Sequence, residues 1–140
     1  MCLNQKSLYH STTGHGQQDM THSNEFIEYL LELLQGVGDV KARAMFGGYG
    51  LYFNSLQHDS IMFALVADDV LYFKTDKDSL GDFTARKLEA FKHERNGKQY
   101  SMSYNEAPGE VLDDPDEMTL WAKKAIDAAK RCAEKKHPVS

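Results

Sequence analysis

Three glycines in four positions constrain this chain more than any other feature: Gly47, Gly48 and Gly50 stand between apolar runs in Met45-Phe46-Gly47-Gly48-Tyr49-Gly50-Leu51-Tyr52-Phe53. Glycine supplies positive φ, or close approach of another backbone, that a residue with a Cβ resists. The flanks are rich in aromatic and branched residues and read as strands. The segment matches neither G-x-G-x-x-G nor G-x-x-x-x-G-K-S/T, and it does not open a helix. A phosphate cradle needs that helix N-terminus or an equivalent nest. Met45, Phe46, Gly47, Gly48 and Gly50 are therefore read as a tight structural turn between two strands. The alternative kept open is a small-ligand or enzymatic pocket beside Gly47–Gly50.

Strand signals dominate the middle of the chain. Val40–Phe46 and Tyr49–Asn54 flank the glycines, and the connection from Ser55 to Ser60 is polar. Ile61–Ala67 and Val70–Thr75 are separated only by Asp68-Asp69, which predicts a two-residue hairpin. Phe91–Arg95 and Lys98–Tyr104 are separated by Asn96-Gly97, the strongest short-range hairpin signal, because both turn residues tolerate positive φ.

Helices bracket and interrupt these strands. The first is expected from Ser23 or Asn24, with Phe26, Ile27, Leu30, Leu31, Leu34 and Val37 at the spacing of a buried stripe, and stops at Gly36 and Gly38. A short middle helix is expected from about Asp78 to Leu88, capped by Asp76 or Asp78. An acidic loop carrying Pro108 and Pro115 then leads into a long helix over Asp116–Lys135, with Asp114 as its N-cap. The connections are too short for parallel crossovers. The fold class is α+β: a mostly antiparallel sheet of about five to six strands, with an N-terminal helix, a short middle helix and a long C-terminal helix.

At 140 residues, 41% hydrophobic, the chain has the size of one domain. Residues 1–22 are polar and aperiodic and read as a disordered leader, leaving 23–137 as the domain. No apolar run approaches the ~20 residues of a membrane span, and the N-terminus lacks a signal peptide's apolar core. Cys2 and Cys132 lie near opposite ends, without a partner at metal-ligand spacing, and suit free thiols in a reducing cytoplasm.

Catalytic signatures are absent from the sequence. The histidines, His10, His15, His22, His58, His93 and His137, form no H-x-x-x-H or H-E-x-x-H pair, and there is no G-x-S-x-G elbow. Asp68-Asp69 and Asp113-Asp114 fall at turns or helix starts, where aspartate is favoured for local hydrogen bonding. No catalytic, cofactor-binding or metal-ligating residue is assigned, and no cofactor is expected.

Charge bears on partners. The formal balance of −5 argues against a protein that lives on phosphate contacts. The terminal helix is the exception: within 123–136, six basic residues stand against two acidic ones. Cations near a helix C-terminus also follow from its dipole. Arg43, Lys123, Lys124, Lys130 and Arg131 are singled out as a candidate interaction surface.

With these residues in place, the sequence resembles the TfoX N-terminal domain family, named after a regulator of natural competence. The resemblance runs through Phe26–Leu34, Val40–Tyr52 with its Met-Phe-Gly-Gly core, Met62–Asp69, Leu71–Lys74, Met102–Tyr104 and the Leu112–Pro115 entry to a helix bearing Trp121. It covers about Asn24 to Lys135. The position before Met45, often arginine in the family, is Ala44 here, with Arg43 beside it. The regulator carries a second, C-terminal domain, so this chain is read as a stand-alone first domain. The resemblance implies a small cytoplasmic regulatory or protein-interaction module, a competence-type transcriptional co-regulator. Its expected partner is a protein such as a DNA-bound transcription factor; direct nucleic-acid binding and membrane association are not expected. A homodimer through a sheet edge or the terminal helix is a further expectation.

Overall fold

Short turns set the sheet. In the computed structural model, residues 18–45, 48–55 and 59–136 are described; for residues 18–24, His93, Arg95, Tyr100, Ser101 and Lys136 the backbone alone is. Strand β1 (Asp39–Met45) pairs antiparallel with β2 (Gly48–Asn54), closing on Met45 opposite Gly48. Only Phe46 and Gly47 join them, and both lie outside the described residues. β3 (Ile61–Ala67) and β4 (Val70–Lys74) are joined by Asp68 and Asp69 at φ 53 and 60. β5 (Ala90–Arg95) and β6 (Lys98–Glu106) are joined by Asn96 and Gly97 at φ 52 and 78. Positive φ at both positions matches the right-handed twist of the flanking strands, as the sequence predicted for both hairpins. The sheet has six strands in the order β1-β2-β3-β4-β6-β5, every pairing antiparallel.

Three helices cover one face. α1 (Gln18–Leu33) packs on β1, and α3 (Pro115–Lys136) crosses β3 and β4. α2 (Leu80–Thr84) adds the buried Phe83. The cross-sheet row Ala42–Leu51–Ala64–Phe73 points toward the helices and meets Leu30, Leu34, Met118, Trp121, Ala122 and Ala125. A bulge opposite Leu51/Tyr52 turns both Phe63 and Ala64 into this core, which regular alternation would forbid. Asn105, at the end of the same row, is 4% exposed yet satisfied. Its side chain accepts from the Thr75 hydroxyl (3.1 Å) and donates to the Leu88 carbonyl (2.8 Å).

Helix boundaries depart from the sequence reading. α1 starts at Gln18 rather than at Ser23 or Asn24, since neither glycine nor proline interrupts Gln18–Asn24. The rest of the expected leader, residues 1–17, lies outside the described residues. α2 is shorter than Asp78–Leu88. Lys87 takes φ 60, while Leu88 N donates to Phe83 O and Lys87 N to Thr84 O, a Schellman ending without its usual glycine. Asp76 does cap the turn into α2, accepting from the Asp78 and Ser79 amides at 3.1 Å each. Asp114 accepts from Asp116 N at the start of α3. Gly109–Leu112, read as loop, forms a 3-10 turn that buries Val111.

Of the glycine segment, Met45 ends β1, and Phe46 and Gly47 lie outside the described residues. Gly48 and Gly50 lie within β2, beyond the turn itself. A Cβ on Gly48 would stand 2.1 Å from the Val66 carbonyl oxygen; one on Gly50 would stand 2.9 Å from Met45 Sδ and 3.1 Å from Met62 Sδ. Gly48→Ala is therefore expected to lower unfolding free energy by about 2–4 kcal/mol in urea titration, because backbone must shift. Gly81→Ala, with nothing within 4 Å of its Cβ position, should instead stabilise by about 0.5–1 kcal/mol.

Candidate interaction surface

Side chains alternate across a strand, so the residues between the core rows project from the opposite face. Register places Arg43, Gly50, Leu65, Tyr72 and Glu106 in one unbroken row across β1, β2, β3, β4 and β6. Beside it run Lys41, Tyr52 and Met62, and then Lys74 opposite Tyr104. Among the described residues, the helices leave this face to its own side chains. Leu65 and Tyr104 are nearly covered, whereas Tyr52, Met62, Tyr72, Lys74 and Glu106 are half-exposed and Arg43 is exposed.

Cations lie over the aromatic rings. The Arg43 guanidinium stands 4.9 Å from the Tyr52 ring centroid and Lys74 Nζ stands 5.2 Å from that of Tyr104. Phe91 meets Tyr72 edge-on at 4.9 Å. Burial, reinforced by the negative charges of Glu106, Asp68 and Glu89, pushes the Tyr72 phenol up from its ordinary value. Burial likewise pushes Tyr104 up, so both keep their protons at neutral pH. The face offers neutral hydroxyls, sulfur, aromatic surface and a basic majority of charge.

The five residues singled out from the sequence do not form one surface. Arg43 belongs to the helix-free face, whereas Lys123, Lys124, Lys130 and Arg131 belong to α3 behind the sheet. Three of the α3 cations are engaged within the molecule. Lys124 pairs with Asp82 at 3.1 Å and stands over the Trp121 ring; Lys130 stands 5.6 Å over Phe53. Arg131 grips Asp76 with both arms, Nε to Oδ2 at 2.6 Å and an Nη to Oδ1 at 3.0 Å, and has Asp78 at 3.5 Å. Lys123 is exposed. The neighbouring Arg86 is bound to Glu110 at 2.6 Å and stacks over Trp121 at 5.4 Å. Sequence reasoning missed Lys41, Tyr52, Met62, Leu65, Lys74 and Glu106; alternation within the strands carries the signal, but joining them needs the register.

No three His, Cys, Asp or Glu side chains converge on a metal position among the described residues. The histidine side chains lie outside the described set, and Cys132 is half-buried on α3. The concavity lined by Glu25, Glu28, Tyr29, Leu31, Glu32 and Gln35 runs along α1 and takes no wall from β1 or β2. No described helix is long and apolar enough to cross a membrane.

An open antiparallel sheet, backed on one face by a long helix and presenting an aromatic, methionine-rich opposite face, defines a small α+β domain. The TfoX N-terminal domain model matches residues 32–129, from inside α1 to inside α3, and the chain belongs to that family. The match is somewhat shorter than the resemblance from Asn24 to Lys135, and it includes every strand. No curated protein matches the chain.

Asp76 carries the clearest electrostatic consequence. Hydrogen bonds from Arg131 hold its carboxyl at about 2, below its ordinary 3.8, and the Ser79 bonds reinforce this. A carboxyl depressed in the folded state stabilises fully above the unfolded value and loses that contribution as pH falls through the folded one. Asp76→Ala is expected to cost about 2–3 kcal/mol at neutral pH by chemical denaturation, combining a lost cap with a lost charged pair. The gap between wild type and variant should narrow as pH falls from 3.8 toward about 2; a gap independent of pH across that interval refutes the assignment.

Proposed function

We propose that this domain is a cytoplasmic regulatory module of the competence type, acting on transcription by contacting a DNA-bound protein rather than by reading bases. Family membership supports the regulatory part of the reading. The observation that carries the protein-contact part is the fate of the basic residues. Lys124, Arg131 and Arg86 are tied to Asp82, Asp76 and Glu110, and Lys130 lies over Phe53. Phosphate contact requires cations held out along one track, releasing condensed counterions. Here Lys124, Lys130 and Arg131 of α3 serve the fold, in a chain whose formal net charge is −5.

Base readout further requires a helix or ribbon presenting Arg, Asn or Gln to a groove edge. α3 turns its inward stripe to the core, and its Lys124 and Arg131 to neighbouring carboxylates. A small-ligand pocket beside Gly48 and Gly50 has the Val66 carbonyl, Met45 and Met62 in its place.

A fluorescent duplex titrated with the protein at low and moderate salt provides the test. The expected result is no saturable, salt-sensitive binding. Tight binding that falls steeply with added salt overturns the protein-contact reading.

A further inference from the structure

The helix-free face has an internal complementarity that its composition conceals. Its principal row reads Arg43, Gly50, Leu65, Tyr72, Glu106: basic at the β1 end, acidic at the β6 end, apolar between. The adjacent row carries Lys41 and Tyr52 at the β1 end and Lys74 and Tyr104 at the β6 end. Reversed from end to end, each row presents the chemistry that the unreversed row would bind. Arg43 falls on Glu106, Lys41 on Tyr104 and Tyr52 on Lys74.

A two-fold axis running parallel to β3 above Leu65 performs this reversal. It carries β1 of one copy over β6 of the other while keeping the strands of both sheets aligned. Sheets packed face to face keep their strand directions within about 30°, so the arrangement is an ordinary one. From β1 to β6 the row crosses five strands, about 19 Å at about 4.8 Å per spacing. The contact is isologous, so every pair off the axis occurs twice.

We propose that the helix-free face is a self-association surface, and that its occupant is a second copy of this chain docked about that axis. Arg43 of each copy pairs with Glu106 of the other. The Tyr72 ring sits over Met45 and Met62, which with Tyr52 crowd the Cβ position of Gly50. Ring against thioether is a favourable contact, and methionine adapts to the surface that meets it. Lys74 reaches the half-exposed Tyr52 ring of the opposite copy, and Lys41 lies beside the largely covered Tyr104. Leu65, largely covered within its own copy, lies beneath the axis at the centre, and the charged pairs lie at the rim. The surface differs from both the sheet-edge and the terminal-helix contacts expected from the sequence, and it stands independently of the regulatory reading, which the duplex titration tests separately.

Charge reversal gives the decisive experiment, since opposed like charges disfavour an interface strongly. Sedimentation of the full chain over a concentration series should give a mass approaching two chains. Arg43→Glu and Glu106→Arg, each alone, should raise the dissociation constant about tenfold or more, toward a single-chain mass. The double variant Arg43→Glu/Glu106→Arg should regain the dimer, because the same pairs form with their signs exchanged. Rescue separates docking from folding, since a change that merely damaged the fold would worsen on combination. A wild-type mass of one chain at every concentration overturns the proposal. Single reversals that leave the dimer intact, or a double variant as monomeric as either single one, also overturn it.

Discussion

Close approach of α3 to the centre of the sheet sets the rest of the architecture. Ala122, Ala125 and Ala129 lie on the inward stripe of this helix, and small side chains let it come near β3 and β4. Phe63, Phe73 and Phe83, all fully buried, fill the space beside the alanines. The rings then leave no room for polar groups without partners, and the one amide at this level, Asn105, is bonded on both sides. The far end of α3 is held by Arg131 on Asp76, a carboxylate that simultaneously organises the turn into α2. At the near end, the Tyr29 hydroxyl donates to the Leu112 carbonyl and ties α1 to the 3-10 turn before α3. Helix, turn and sheet are fixed by a few contacts that share residues.

That economy decides how charge is used. A helix with six cations over residues 123–136 looks, as a string, like a surface waiting for an anion. Folded, two of those cations, Lys124 and Arg131, find carboxylates from α2 and from the turn after β4. The same folding step gathers Lys41, Arg43 and Lys74, scattered in sequence, onto the other side of the sheet.

Much of the fold was legible because its signals are local. Asn96-Gly97 and Asp68-Asp69 specify turns by their own backbone preferences. Asp114 before Pro115 marks the start of α3, and the 3.6-residue stripe of Ile27, Leu30 and Leu34 marks the buried side of α1. What stayed hidden depends on distant partners. The early end of α2 is enforced by Lys87 in a conformation usually left to glycine, so composition gave no warning. The reason for Gly48 lies in a carbonyl of β3, eighteen positions away in sequence. Arg43 was noticed for its charge; its row partners Leu65, Tyr72 and Glu106 could be joined to it only through register, where a slip of one residue exchanges the two faces.

Among the described residues the sheet has two border strands, β1 and β5. Along β1 the exposed positions include Asp39, Lys41 and Arg43, and along β5 they include Lys92 and Glu94. Charged side chains along a border discourage a further strand from adding there. The chain can therefore carry strand-rich, apolar segments such as Ile61–Ala67 at its centre without offering them a route to indefinite growth. Those borders turn an extensible motif into a finite object.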